Sequence, residues 1–221
     1  MSICDCLSSS LVAPSIRQMN ICDVRSVVQV HVKSFSGFFL SFLGPTFLRE
    51  LYATTLTDPS GISFVAEDET CIFGFVTGTA QPAGFYRRLI RQRWWRFALA
   101  AVIPVLRRPS IIPRLLRAFS MPERATQQEK RGTLMSIAVL PEAQGKGIGQ
   151  ALVSAFLREA FQRGLQQVDL TTDSHDNHAT NSFYIQFGFE HSRTFTTPEG
   201  REMYEYIIEL GISEKKKVMT R

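Results

Sequence analysis

Apolar positions along this chain recur with two different spacings, and the switches between them mark the elements. Residues 15–19 (SIRQM) read as a short strand. Asn20 or Asp23 can cap the helix that follows, whose valines fall at 24, 27, 28, 30 and 32. A second helix starts with Pro45 in its first turn and reaches about Thr55. Asp58-Pro59-Ser60-Gly61 is a turn, after which the runs 62–67 and 71–80, broken by Asp68-Glu69-Thr70, predict a β-hairpin. Further on, residues 134–140 are an apolar, partly β-branched run that ends at Pro141. Ile148, Leu152, Val153, Phe156, Leu157, Ala160 and Phe161 then keep the 3.6-residue period of a helix with one buried face. Residues 168–173 predict a fifth strand, and the helix over 177–187 stops at Gly188, a natural left-handed terminator. Residues 190–195 and 202–210, joined by Thr197-Pro198-Glu199-Gly200, close the pattern as a hairpin.

Residues 81–131 break this rhythm. About 50 residues separate the third and fourth strands, too many for a structureless loop inside a compact domain. Phe85, Leu89, Ile90, Trp94, Phe97 and Ala98 lie near helical spacing, and Leu115, Leu116 and Phe119 predict a short helix after Pro113. Between residues 85 and 122 stand nine arginines (Arg87, Arg88, Arg91, Arg93, Arg96, Arg107, Arg108, Arg114, Arg117) and no acid. The chain carries a net +5, so everything outside this stretch sums to −4. The basic character belongs to the insertion alone. Three roles fit it: a basic amphipathic helix on an anionic membrane surface, a lid or homodimer element over an anionic acceptor, or a solvated face. The aromatics and arginines build no recognised nucleic-acid module, so no nucleic-acid partner is expected.

The segment between the strand at 134–140 and its helix, Gln144-Gly145-Lys146-Gly147-Ile148-Gly149, carries the chemistry. A backbone without Cβ atoms at 145, 147 and 149 can curl so that consecutive N–H groups face one concavity, with the helix N-terminus and Lys146 adding positive charge. That is a cradle for phosphate, and for a pyrophosphate above a carboxylate. A nucleoside-triphosphate P-loop would need Ser or Thr after Gly-Lys, but Gly147 stands there. A dinucleotide fingerprint wants G-x-G-x-x-G instead of G-x-G-x-G, although Asp169 and Asp173 lie about where its ribose-binding acid would fall.

Gln144, Gly147 and Gly149 also fill the Gln/Arg-x-x-Gly-x-Gly/Ala pattern after a strand, and in this the chain resembles the GNAT superfamily of acyl-CoA-dependent N-acetyltransferases. A second segment, residues 177–189 (NHATNSFYIQFGF), looks like the later helix of the same superfamily, with an aromatic, Tyr184, three residues and Gly-Phe. The resemblance covers residues 132–210 well and the N-terminal half loosely. It implies an α/β (mixed α+β) GNAT fold: a mostly antiparallel mixed sheet of six to seven strands flanked by helices, splayed between strands four and five. It implies one domain over 1–221, with residues 81–131 as a basic helical insertion.

The same resemblance implies a set of roles. The pyrophosphate of acetyl-CoA would lie on the N–H groups of Gln144, Gly145, Lys146, Gly147, Ile148 and Gly149. Its pantetheine arm would run along the main chain of Ile137, Ala138 and Val139, with a main-chain N–H near Ile137 as oxyanion donor. Tyr184 is expected to protonate the departing sulfur, with core packing as its alternative. Asn177 and Asn181 are expected to hold the pantetheine, and Asn177 to cap its helix as an equal alternative. Phe35 or Phe38 can face the acceptor. The base stays open among Asp173, His175, Glu67 and a water chain.

Composition narrows the classes little further. The four cysteines (Cys4, Cys6, Cys22, Cys71) show neither zinc spacing nor disulfide density, and no metal is expected. The first fifteen residues carry no basic residue and no unbroken apolar core, and no run approaches the ~20 residues of a membrane span, so a cytoplasmic location is expected. Three functions remain: N-acetylation of a small amine such as an amino sugar on a nucleotide or lipid carrier, acetylation of a protein or peptide, or non-catalytic coenzyme binding. A dehydrogenase trails them.

Overall fold

The computed structural model describes residues 14–35, 39–69, 71–107 and 130–211. Phe38, the helix expected after Pro113, and Arg108, Arg114 and Arg117 lie outside the described residues.

The chain opens with β1 (Ser15–Gln18). Asn20 caps a 3₁₀ turn, its side chain accepting from the Cys22 N–H while Asp23 accepts from the Asn20 N–H at 2.8 Å. The chain then runs into α1 (Val24–Ser34), a four-residue α2 (Phe39–Phe42) and α3 (Gly44–Thr57). The hairpin strands are β2 (Gly61–Glu67) and β3 (Ile72–Thr79). α4 (Phe85–Arg107) fills part of the connection to β4 (Arg131–Val139). The expected strand–loop–helix unit follows as β4, a 3₁₀ turn at Pro141–Ala143, and α5 (Ile148–Gln162). β5 (Gln167–Asp173), α6 (His178–Phe187), β6 (Glu190–Thr196) and β7 (Glu202–Glu209) complete it.

The seven strands form one sheet in the order β1-β2-β3-β4-β5-β7-β6. All neighbours are antiparallel except β4 and β5, which run parallel. That exception creates the central feature. β4 and β5 pair only at Arg131↔Gln167, Gly132↔Val168 and Thr133↔Asp169, after which the strands part. The splay expected between strands four and five is therefore present. Its hinge is held by charge: Arg131 meets Asp169 at 2.6 Å and Glu205 of β7 at 3.4 Å.

Helices cover both faces of the sheet. On β3, Gly74 and Gly78 face α5, where an added Cβ would come within 3.2 Å of Leu152 and 2.7 Å of Phe156. Phe75, one residue out of phase, points to the other face, its ring 5.3 Å from Tyr52 of α3 and 6.3 Å from His31 of α1. The missing side chains at Gly74 and Gly78 thus let α5 sit tightly against the strands whose end feeds its own N-terminus. Of the face predicted for α5, only Phe161 departs, being 46% exposed in the last turn. The period held there, but Gly211, which lies beside the Phe161 ring, has no side chain with which to cover it.

Candidate active site

β4 runs on past the point where β5 leaves it, and the loop at its end leads into α5 with Gly149 against Phe183 of α6. Gly145 and Gly147 have φ of +75° and +76°, left-handed values that side chains resist, and an added Cβ at either would meet nothing within 4 Å. Both glycines are required by backbone conformation and border open space. Gly149 differs: it is already inside α5, and a Cβ there would touch the Phe183 ring at an ordinary 3.6 Å. Gln144 also differs from expectation. Its N–H goes to the Pro141 carbonyl at 3.3 Å and its Nε2 donates to the Val139 carbonyl at 3.1 Å. Gln144 pins the loop to the end of β4, and the open amides begin at Gly145.

From there the supply of donors is continuous. Gly147 caps α5 without a side-chain hydrogen bond, and the first helical bond is from Ala151 N–H to the Gly147 carbonyl at 3.0 Å. The N–H groups of residues 145–150 have no partner among the described residues. With the exposed Lys146 beside them, they form the positive end of a 15-residue helix.

The far wall is α6. Asn177 does not cap it; its Nδ2 donates to Thr172 Oγ1 at 2.5 Å and to the Asp173 carbonyl at 3.3 Å. Asn181 Nδ2 donates to the same carbonyl at 3.1 Å, which leaves the buried Asn181 Oδ1 with no hydrogen-bond partner. Such an orphan acceptor costs about 1–3 kcal/mol unless a ligand donor meets it. Tyr184, three residues on and so on the same helical face, is 4% exposed between Phe183, Phe189 and Tyr206. Burial pushes its phenol up, so it holds its proton at neutral pH.

The opposite side of β4 holds a group the sequence reading missed. Ser136 lies across from Thr77, two residues from Phe75, and so shares the face covered by α1 and α3. Its hydroxyl lies beside the Tyr52 phenol, which in turn meets His31 Nδ1 at 2.6 Å. Burial raises the Tyr52 phenol and lowers His31 to about 4. His31 Nε2 is buried without a hydrogen-bond partner among the described residues, and the half-buried Phe35 lies tilted against its ring at 4.8 Å. Sequence offered one clue: His31 falls on the same face of α1 as Val27 and Val28.

The imidazole has a consequence for stability. Its folded value near 4 lies below the ordinary 6.5, so the unfolded chain takes up the proton first. Stability from this group is full above 6.5, declines as pH falls, and is about 3 kcal/mol lower by pH 4. Urea titrations across that window should show a flatter pH slope for His31→Gln; an unchanged slope would assign the acid sensitivity elsewhere.

The other acid–base candidates are engaged or remote. Asp173 is held by both Arg201 Nε, at 3.1 Å, and Arg201 Nη2. His175 is 80% exposed and 3.7 Å from Glu202. Glu67 sits two strands from β4 and closes on Arg17, which also binds Asp23, in a clamp that ties β1 and β2 to the start of α1. Arg17 holds the Asp23 carboxyl below its usual range. Asp169, the second candidate for a ribose-binding acid, is committed to Arg131 at the hinge. Neither acid that favoured a dinucleotide is free for one. Among the described residues no group of three or more His, Cys, Asp or Glu side chains is placed to hold a metal ion.

Known proteins share the fold and part of the sequence. A stretch of 59 residues, 27% of this chain, is 44% identical to mycothiol acetyltransferase of Saccharomonospora viridis, and spans only 19% of that protein's length. The fold matches yncA of Salmonella typhimurium, solved with its cofactor acetyl-CoA, at a TM-score of 0.58 and 13% identity, over 90% of this chain and 95% of that one. It also matches the ribosomal-protein-S18-alanine N-acetyltransferase of Escherichia coli, at a TM-score of 0.56 and 14% identity, over 89% and 94%. The model of the acetyltransferase (GNAT) family fits residues 27–189, from α1 through the cradle to the end of α6, and by that measure the chain belongs to this family.

Proposed function

We propose that the chain is an acetyl-CoA-dependent N-acetyltransferase acting on a primary amine of a small acceptor, both substrates being bound together on one domain into which residues 81–131 are inserted. The observation that carries this is the run of amides at residues 145–150, unpartnered among the described residues, at the end of the strand from which β5 has parted. A diphosphate fits those donors, and an extended amide-bearing arm fits the strand edge that β5 vacates. Asn181 Oδ1 would accept from such an arm, alongside the main chain of Ile137, Ala138 and Val139.

Coenzyme A supplies the acetyl group as a thioester. Transfer forms a C–N bond and breaks a C–S bond, so one proton must leave nitrogen, here to a water chain because the carboxylates are engaged, and one must reach sulfur. Tyr184 Oη holds the second proton: burial keeps the phenol neutral until the thiolate forms beside it, and the same exclusion of water raises the sulfur's own affinity for a proton. Ser136 is a hydroxyl of β4 on the α1–α3 side, beside the Tyr52 phenol, where an acceptor amine would meet it. Main-chain N–H groups near Ile137 are the oxyanion donors available there.

The names of relatives point two ways, one to mycothiol and one to an alanine of a ribosomal protein. The small-molecule reading is supported by charge: residues 85–122 hold nine arginines and no acid, which repels a lysine-bearing peptide approaching the protein. Acetyl-CoA consumption measured against amino sugars, polyamines and peptides separates the readings; turnover confined to peptides would sink the first. With the best amine found, Ser136→Ala should lower kcat/KM for that amine by about tenfold and leave acetyl-CoA affinity unchanged. Equal losses for both substrates would remove Ser136 from the acceptor side.

A further inference from the structure

α4 is apolar on two faces and covered on one. Phe85, Leu89, Phe97, Ala100 and Ala101 are buried, with Phe97 edge-on to Phe47 of α3 at 5.3 Å. The backbone leaves the helical region at Arg93 (φ −140°, ψ 36°). Beyond that kink a second apolar row faces outward: Trp95 is 51% exposed, Leu99 65%, Val102 46% and Leu106 77%, with Trp94 at 64% beside them. These positions are spaced by four, three and four residues, the period of a helix face that meets something apolar. The helix contains six arginines and no acid. Arg88 and Arg96 are neutralised by Asp58 and Glu50 at 3.5 and 3.6 Å, whereas Arg87 and Arg91 are exposed.

We propose that α4 seats this protein on an anionic lipid surface, with Trp94, Trp95, Leu99 and Leu106 in the interfacial layer and Arg87 and Arg91 on lipid phosphates. Tryptophan suits that depth because its ring is apolar and its N–H polar. Arginine can lay its stem along the apolar layer while its fork binds phosphate. A second copy of the chain is a poor occupant, since symmetric pairing would bring two uncompensated arginine rows together. Among the described residues no helix is long and apolar enough to cross a membrane, so the contact is in-plane. The inference does not depend on acetyl transfer.

The chain supplies its own reporter, because its two tryptophans are Trp94 and Trp95. The full chain is titrated with phosphatidylcholine vesicles, with and without phosphatidylserine, while tryptophan emission and co-sedimentation are followed. A blue shift with the phosphatidylserine vesicles at low salt is expected, lost near 1 M salt where the screening length is ~3 Å. Arg87→Glu combined with Arg91→Glu, both on exposed side chains, should weaken binding by about tenfold or more at unchanged melting temperature. Absence of the shift at low salt overturns the proposal, and so does sedimentation with lipid at unshifted emission, which places the contact elsewhere. A shift that arises without lipid on concentrating the protein, or equally with polyglutamate, identifies a second copy or an acidic polypeptide as the occupant and overturns it as well.

Discussion

Tyr184→Phe should lower kcat by about 10²–10⁴-fold while leaving the dissociation constant for acetyl-CoA within about twofold of the parent. The ring is packed on three aromatic neighbours, and phenylalanine keeps all of those contacts. Its hydroxyl makes no hydrogen bond among the described residues, so its removal leaves no protein group unpaired and costs little stability. On the proposed reading, what the variant loses is the proton that would go to the departing sulfur. Steady-state kinetics with calorimetry distinguishes the cases: unchanged kcat takes Tyr184 out of the chemistry, and a loss confined to coenzyme affinity makes it a wall of the binding site.

Gly147→Val should separate binding from folding in the opposite way. The position has φ +76°, which costs a β-branched residue about 1–2 kcal/mol, but the space around it is empty, so no further clash is added. The side chain would instead stand in the concavity formed by the amides of residues 145–150 and hold a diphosphate off them. Coenzyme affinity should fall by at least about a hundredfold, the equivalent of two lost charge-assisted hydrogen bonds, against a melting-temperature loss of only a few degrees. Near-normal affinity in this variant would mean that the cradle is not where the diphosphate lies.

The parts of this molecule that could be read in advance are those written in local pattern. The strand–loop–helix of β4 and α5 is visible because a β-branched run gives way to glycines and then to a 3.6-residue period, and Gly145 and Gly147 do take the left-handed conformation that only glycine adopts freely. The helix that carries Asn181 and Tyr184 was legible in the same way, and it buries both on one face. What escaped was set by chain crossings. Nothing near Glu67 announces Arg17, 50 residues earlier, and nothing near Asp173 announces Arg201, 28 residues later, yet those guanidiniums decide what the two carboxylates can do. His31 and Tyr52 each look like core residues of their own helices, and become a unit only when α1 and α3 meet over Phe75. Gln144 matched the pattern for a reason other than the expected one, since it ties the loop to Val139 in place of offering its own N–H.

The most direct test follows backbone amide resonances of residues 145–150 while coenzyme A is added to the protein. The account predicts saturable binding in which these N–H signals move most, together with Asn181 and the β4 residues 137–139. Saturable binding that leaves the amides of residues 145–150 in place, or no binding of coenzyme A alongside uptake of a nicotinamide dinucleotide, would contradict it.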